Sequence, residues 1–169
     1  MRLFAALRPA QWTKNLLCFV PLVFTSSYRD LSSLLAACLA FAAFCGLSSS
    51  AYLANDVADR KSDRENPRTA RRPIASGEVG PGAALLAAAL LAFLGLAVAR
   101  AIEILPVALG FLFLQALYTL GGRERAGLDV TLIGCTFVLR AVGGAEAIRV
   151  PTSPWLFGIA FLVAARIAL

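Results

Sequence analysis

The sequence predicts an all-α, polytopic transmembrane helical bundle, and three observations carry that expectation. Mean hydropathy is +0.76, with 59% hydrophobic and only 15% charged residues, a composition far from that of a water-soluble domain. Apolar stretches recur at lengths suited to crossing a bilayer. Charge is confined to the segments between them, with Lys and Arg biased to alternate segments.

The elements follow in chain order. Arg8, Pro9, Trp12, Lys14 and Asn15 form an interfacial segment, with Trp12 as anchor and Lys14 and Asn15 facing headgroups. Arg2 and Arg8 imitate the start of a signal peptide, but Pro9, Trp12 and Lys14 interrupt it and no small-residue cleavage site follows. Residues 15–28 are uncharged and near the lower length limit for a tilted span. The clearest spans are 31–55 and 83–99; 104–120 contains Pro106 and Gln115, 130–145 is apolar except for Arg140, and 150–165 is uncharged. That gives about five or six transmembrane helices. A soluble bundle would need polar faces that these runs lack.

Orientation follows from charge. Arg2, Arg8, Lys14, Arg60, Lys61, Arg64, Arg68, Arg71, Arg72, Arg123 and Arg125 fall in one set of segments; Arg29, Arg100 and Arg149 fall in the other. The expectation is a multi-pass protein of the plasma (inner) membrane, with the N-terminus and the 55–82 and 121–129 loops cytoplasmic. The net charge of +6 is mostly this bias, and basic residues beside acids in short loops give no support to nucleic-acid binding. Cys18, Cys38, Cys45 and Cys135 lie in apolar runs and read as small hydrophobes, neither disulfide partners nor ligands. The chain has no histidine, which disfavours His-based catalysis and zinc chemistry.

The chemistry concentrates at one helix mouth. Asn55, Asp56, Asp59 and Asp63 follow the 31–55 run directly, and spacing of four puts Asn55, Asp59 and Asp63 on one helical face with Asp56 on its neighbour. Carboxylates this crowded need a cation or a firm partner. Magnesium suits them, since it takes one or two carboxylates together with phosphate oxygens and water. The plainer reading is a solvated polar loop capping two helices. Arg64, Arg68, Arg71 and Arg72 follow, then Pro73 and Gly77 at a turn; arginine forks beside metal-holding acids suggest a pyrophosphate cradle. The positive-inside rule alone is the plainer account of any single arginine. Tyr118, Arg123 and Asp129 flank the next loop on that side. Arg140, deep in an apolar run, faces a polar cavity or pairs with Glu146 or another helix.

Together these residues resemble the UbiA superfamily of intramembrane prenyltransferases. Asn55-Asp-Val-x-Asp59-x-x-x-Asp63 resembles its first aspartate-rich motif, and Arg71–Gly77 its arginine-proline turn. Arg8-Pro-x-Gln-Trp-x-Lys-Asn15, Arg72-Pro-Ile-Ala-x-Gly77 and Phe137-Val-Leu-Arg-Ala-x-Gly-Gly144 are similar to the bacterial decaprenyl-phosphate phosphoribosyltransferases within it. The likeness runs from residue 2 to about 162, and implies a helical fold around a lipid-accessible cavity. It implies Mg2+ held by Asn55, Asp56, Asp59 and Asp63, with Asp56, Asp59 and Asp63 catalytic. Lys14, Asn15, Arg71, Arg72, Tyr118, Arg123, Asp129 and Arg140 are the implied substrate-binding residues. The donor is phosphoribosyl pyrophosphate and the acceptor a polyprenyl phosphate from the bilayer, feeding cell-wall synthesis; a homo-oligomer is compatible. A second enzymatic reading is transfer of a prenyl group from a prenyl diphosphate to an aromatic or lipid acceptor. The family fold has about nine spanning helices and a second polar motif, so residues 1–169 are expected to form a partial, N-terminal UbiA-like domain. An inactive fragment or a non-catalytic subunit is the reading from another class, and no turnover is expected of the chain alone.

Overall fold

The structure is a computed structural model that describes residues 2–121, 127–152, 154–155, 157–158 and 161–162. All regular structure among the described residues is helical. In order come α1 (Arg2–Ala6), a 3-10 segment (Pro9–Phe19), α2 (Val20–Phe24), a 3-10 turn (Ser27–Arg29), α3 (Leu31–Ala58), α4 (Arg60–Glu65), α5 (Pro81–Ala101), α6 (Leu105–Thr119) and α7 (Leu128–Ala147).

Helices α3, α5 and α7 are long and apolar enough to cross a membrane, and α6 is a shorter apolar helix. The chain is an integral membrane protein. Large side chains left uncovered, such as Phe24, Phe93 and Phe113, form a lipid-facing exterior that water would not tolerate. The stretch over 15–28 is not one continuous span. It runs as the 3-10 segment into α2, with Pro9 and Pro21 each at the start of its element, where the missing N–H does no harm. The expected span over 150–165 lies partly outside the described residues.

Asp30 starts α3. Its carboxylate accepts from the Ser33 backbone N–H at 2.9 Å and from the Ser32 and Ser33 hydroxyls at 2.6 and 2.7 Å. Those donors, Ser32 foremost, lower its carboxyl to about 2. Along its middle, α3 packs against α5 through small residues. A Cβ on Gly95 would come within 2.9 Å of Leu47 and 3.1 Å of the Ala43 carbonyl, and one on Gly46 within 3.3 Å of the Leu91 carbonyl. Close backbone approach of this kind is how helices associate where burial of apolar surface from water no longer drives them. Phe44 and Phe111 meet edge to face at 5.3 Å in the core between α3, α6 and α7. A second apolar cluster, with Leu53, Ile74, Val79 and Ala84, pins the α4–α5 loop onto the bundle. The cysteines are free: Cys18 and Cys45 are buried, and Asn15 donates to the Cys45 sulfur at 3.2 Å.

The tightest approach is at Gly144, where a Cβ would lie 2.1 Å from the Cys18 carbonyl oxygen. Backbone cannot yield there as a flexible side chain could. Gly144→Ala is therefore expected to destabilise by about 1–3 kcal/mol. Gly110→Ala, whose Cβ would meet only Leu139 at 3.7 Å, should be neutral or stabilising. Thermal midpoints in detergent check both. Because folding lowers the Asp30 carboxyl, its contribution is complete above the ordinary carboxylate range and fades as pH falls toward about 2. Asp30→Ala should flatten the stability-versus-pH curve between about 4 and that limit.

Candidate functional site

The apolar run of α3 ends at Ala54, and the helix continues as a polar ladder. Asp59 N–H donates to the Asn55 carbonyl and Asp63 N–H to the Asp59 carbonyl, both at 2.8 Å, so α3 passes into α4 with the helical repeat nearly kept. Residues seven apart then share a face, which brings Asp56 and Asp63 together. Asp56 is 2% exposed and Asp63 7%. Arg72 Nη1 lies 2.8 Å from Asp63 and 3.4 Å from Asp56, and Arg8 Nη2 lies 2.5 Å from Asp56. Arg8 also stacks over Tyr52 at 5.2 Å and holds a left-handed backbone, φ 53°.

The loop that delivers Arg72 is tied down by its own polar groups. Arg64 Nε donates to the Ala75 carbonyl at 2.7 Å, Arg60 Nε to the Ile74 carbonyl at 3.3 Å and Thr69 Oγ1 to the Asp63 carbonyl at 3.0 Å. Gly77, at φ 87°, makes the turn back to α5. Arg64 is thus committed to the loop, while Arg68 and Arg71 are exposed on it.

Next to the acids is a cavity of about 120 Å³ lined by Lys14, Tyr52, Asn55, Gln115, Tyr118 and Arg140, with an apolar wall from Leu132, Ile133 and Phe137. Arg140 is 2% exposed. Its Nε donates to Asn15 Oδ1 at 2.7 Å and its Nη1 to the Thr136 carbonyl at 2.8 Å, and the guanidinium sits over Phe111 and Phe137 at 4.7 and 5.4 Å. Asn15, fully buried, is positioned in turn by Cys45 and by Ser48. Glu146 is exposed, so Arg140 takes the cavity-lining role and its protein bonds go to neutral oxygens. The Lys14 ammonium is held below the ordinary lysine range, first by burial and then by Arg140 and Arg8.

The expected residues divide between these two places. Asp56, Asp63 and Arg72 meet directly; Lys14, Asn55, Tyr118 and Arg140 line the cavity, with Asn15 supporting Arg140. Asn55 does not join the carboxylates: its side-chain oxygen accepts from Thr119 of α6. Asp59 is half-buried at the α3–α4 junction. Asp129 folds onto the start of α7, accepting from its neighbours' backbone N–H groups, Val130 at 2.7 Å and Gly127 at 3.1 Å. Arg123 lies outside the described residues. Sequence reasoning did not place Arg8, Tyr52, Gln115, Thr119 or Thr136 in the site. Arg8 stood in the quoted Arg-Pro-x-Gln-Trp run, and the others are ordinary residues within apolar helices.

The carboxylate pair suits magnesium in donor chemistry. Both oxygens face one cationic nitrogen, and the ion needs only one or two carboxylates when a substrate brings phosphate oxygens. Among the described residues no three His, Cys, Asp or Glu side chains gather as a ready-made cage. Of the four residues expected to ligate the ion, Asp56 and Asp63 lie side by side, Asp59 sits at the α3–α4 junction and Asn55 accepts from Thr119.

Removing Asn15 strands a buried guanidinium nitrogen. Asn15→Leu is expected to lower stability by about 1–3 kcal/mol, measurable as a reduced unfolding midpoint in detergent, while Asn15→Asp should retain the fold.

A family model for the UbiA prenyltransferase family matches residues 15–169. The chain is 34% identical over 177 residues to a decaprenyl-phosphate phosphoribosyltransferase of Mycolicibacterium smegmatis, a match covering 97% of this chain and 55% of that protein. It is 33% identical over 172 residues to the enzyme of the same description from Mycobacterium tuberculosis, covering 95% and 57%. The chain thus spans about half the length of these relatives. A nodulation protein, NoeC, of Azorhizobium caulinodans is 31% identical over 86% of this chain. Among solved structures, a UbiA homolog from Archaeoglobus fulgidus bound to DMAPP and Mg2+ superposes with a TM-score of 0.83 over 99% of this chain and 61% of that one. At 24% identity the likeness is one of fold. Fold and family model agree: the chain belongs to the UbiA prenyltransferase family.

Proposed function

We propose that this chain forms the donor side of a membrane transferase site that moves phosphoribose from phosphoribosyl pyrophosphate to a polyprenyl phosphate. One observation carries the reading: two buried carboxylates share a guanidinium beside a cavity whose charged lining is cationic. Such a place suits a diphosphate with its counter-cation on one side and an anionic acceptor on the other. The specific donor and acceptor come from the relatives, named for decaprenyl-phosphate phosphoribosyl transfer.

In this reading the site faces the cytoplasm. Magnesium, when bound, supplies positive charge against the leaving diphosphate. Asp56 and Asp63 hold that cation, with Asp59 and Asn55 at its margin. Arg72 and Arg8 are within reach of the diphosphate and stabilise charge as it departs, with Arg71 and Arg123 as further phosphate ligands. The bond from ribose C1 to the diphosphate breaks, and an acceptor phosphate oxygen forms the new bond at C1. Tyr118 and Tyr52 shape the sugar's surroundings, and Asp129 orders the start of α7 beside them.

The test is equilibrium binding of labelled phosphoribosyl pyrophosphate to membranes carrying this chain. Binding is expected with Mg2+ and lost in EDTA, and Asp63→Asn is expected to weaken it by about 10- to 100-fold, the loss of one charged-group contact. A prenyl diphosphate in excess should leave it unchanged. Displacement by the prenyl diphosphate would shift the assignment to prenyl transfer, and unaltered binding by the Asp63 variant would remove the carboxylate pair from the site.

A further inference from the structure

We propose that the end of the bundle opposite Asp56 and Asp63 carries a site for a membrane phospholipid whose phosphate bears a primary ammonium group. The site is independent of the transferase reading and lies in a cavity that no step of that reading uses.

Two membrane-crossing helices end in the same way. Ala101-Ile102-Glu103-Ile104 closes α5, and Ala147-Ile148-Arg149-Val150 closes α7. In each the charged residue takes a left-handed backbone, φ 64° at Glu103 and 55° at Arg149. The next N–H then reaches back along the helix, from Ile104 to the Ala99 carbonyl at 2.9 Å and from Val150 to the Ala145 carbonyl at 3.0 Å. Glycine is the usual residue at this position, because it takes that backbone without strain. Here a glutamate and an arginine stand in its place, and their side chains meet at 3.1 Å. A lock between helices does not account for them. The side chains are 70% and 80% exposed, and pairs so open to water add little stability.

The paired ends stand at a cavity of about 350 Å³, shared with the start of α3. That is within the range of small-molecule sites, about 300–1,000 Å³. The carbonyls of Ala101, Ile102, Ala147 and Ile148, residues of its lining, accept no backbone hydrogen bond among the described residues. Pro106 and Pro151, four residues past Ile102 and Ala147, have no N–H to offer them. Two helix C-termini therefore add partial negative charge beside the Glu103 carboxylate. Arg149 supplies the opposite sign.

This mixture selects a zwitterion. Its cation finds Glu103 and the helix carbonyls, its anion finds Arg149, and one weak pair is exchanged for two. A primary ammonium has three N–H donors to place. The Ser32 and Ser33 hydroxyls, which donate to Asp30, still accept. A quaternary ammonium has no such donors and is recognised by aromatic faces, and no lining residue is aromatic. Phosphate oxygens suit the arginine fork. Helices α3, α5 and α7 are each long and apolar enough to cross a membrane, which brings their ends to headgroup level. Leu31 and Leu35, exposed on α3 beside Ser32, offer an apolar surface to the acyl chains.

The experiment measures equilibrium binding of labelled dioctanoyl phosphatidylethanolamine to the full chain in detergent micelles. Saturable binding is expected, at least tenfold tighter than for phosphatidylcholine or phosphatidylglycerol with the same chains. Glu103→Gly and Arg149→Gly should each weaken it at least tenfold while holding or raising the thermal midpoint, since glycine suits the left-handed backbone. A purely structural pair would lose stability instead. Equal affinity for the choline lipid, or unchanged binding in both variants, would overturn the proposal. Equal competition by glycerophosphoethanolamine, which has the head without the chains, would overturn the choice of a lipid. If either glycine variant unfolds, Glu103→Gln and Arg149→Gln decide by the same binding ratio.

Discussion

Two carboxylates taken out of water at the end of a membrane helix must be neutralised, and the way Asp56 and Asp63 achieve this organises one end of the molecule. Each loses several kcal/mol of hydration on burial, which neighbouring charge must replace. The replacements come from afar in sequence: Arg8 is 48 residues from Asp56 and Arg72 is 16 residues from it. The interfacial segment and the α4–α5 loop are therefore drawn to the same spot. Arg8 keeps its contact from a left-handed backbone, a strained state that persists only where surroundings over-determine it. Arg60, Arg64 and Thr69 hold the loop carbonyls so that Arg72 arrives in place.

The membrane class, the main apolar spans and the acidic motif were legible because each is a local signal. An uncharged run, a helical spacing of acids and a loop rich in arginine need no tertiary knowledge. The seven-residue relation of Asp56 and Asp63 was present in the sequence too, but the four-residue relation of Asn55, Asp59 and Asp63 competes with it, and only packing decides. Asn55 turned to Thr119 on a helix more than sixty residues away, a partner no periodicity marks. The arginines divided for a similar reason: sequence counts cations, but only the folded loop shows that Arg64 is spent on a carbonyl while Arg72 reaches the acids. The segment over 15–28 reads as apolar by composition, yet it forms short pieces, a 3-10 run ending at Phe19 followed by α2 with Pro21 in its first turn.

Arg140 illustrates a different limit. Replacing a buried ionic group by well-packed apolar side chains is often neutral or stabilising, so packing alone gives no reason to keep a guanidinium in α7. Its bonds to Asn15 and Thr136 and its two aromatic faces lower the cost of burial without cancelling the charge. What is left is a fixed positive field in a cavity beside the acids. The two charge environments are adjacent yet different: the acids are matched by Arg8 and Arg72, while the charged lining of the cavity is cationic, and Tyr52 borders both.

Position along the helices explains why the two environments need different support. Helix α3 has 28 residues and is about 42 Å long, against a hydrocarbon core of about 30 Å. Its last turns can stand at the interface, where Arg8 and Arg72 keep part of their hydration as they pair with Asp56. Arg140 lies twelve residues into α7, about 18 Å along it, and is 2% exposed inside the bundle. The protein must bring the polar partner in. The Pro9–Phe19 segment does so by running against α7 so closely that its Cys18 carbonyl sits where a Gly144 side chain would be. Gly143, beneath the Phe44 ring, gives the neighbouring helix face room for the core beside it. The Gly-Gly pair therefore does more than pack helices. By letting the N-terminal backbone approach, it carries Asn15 to Arg140, and that contact makes a buried cation tolerable.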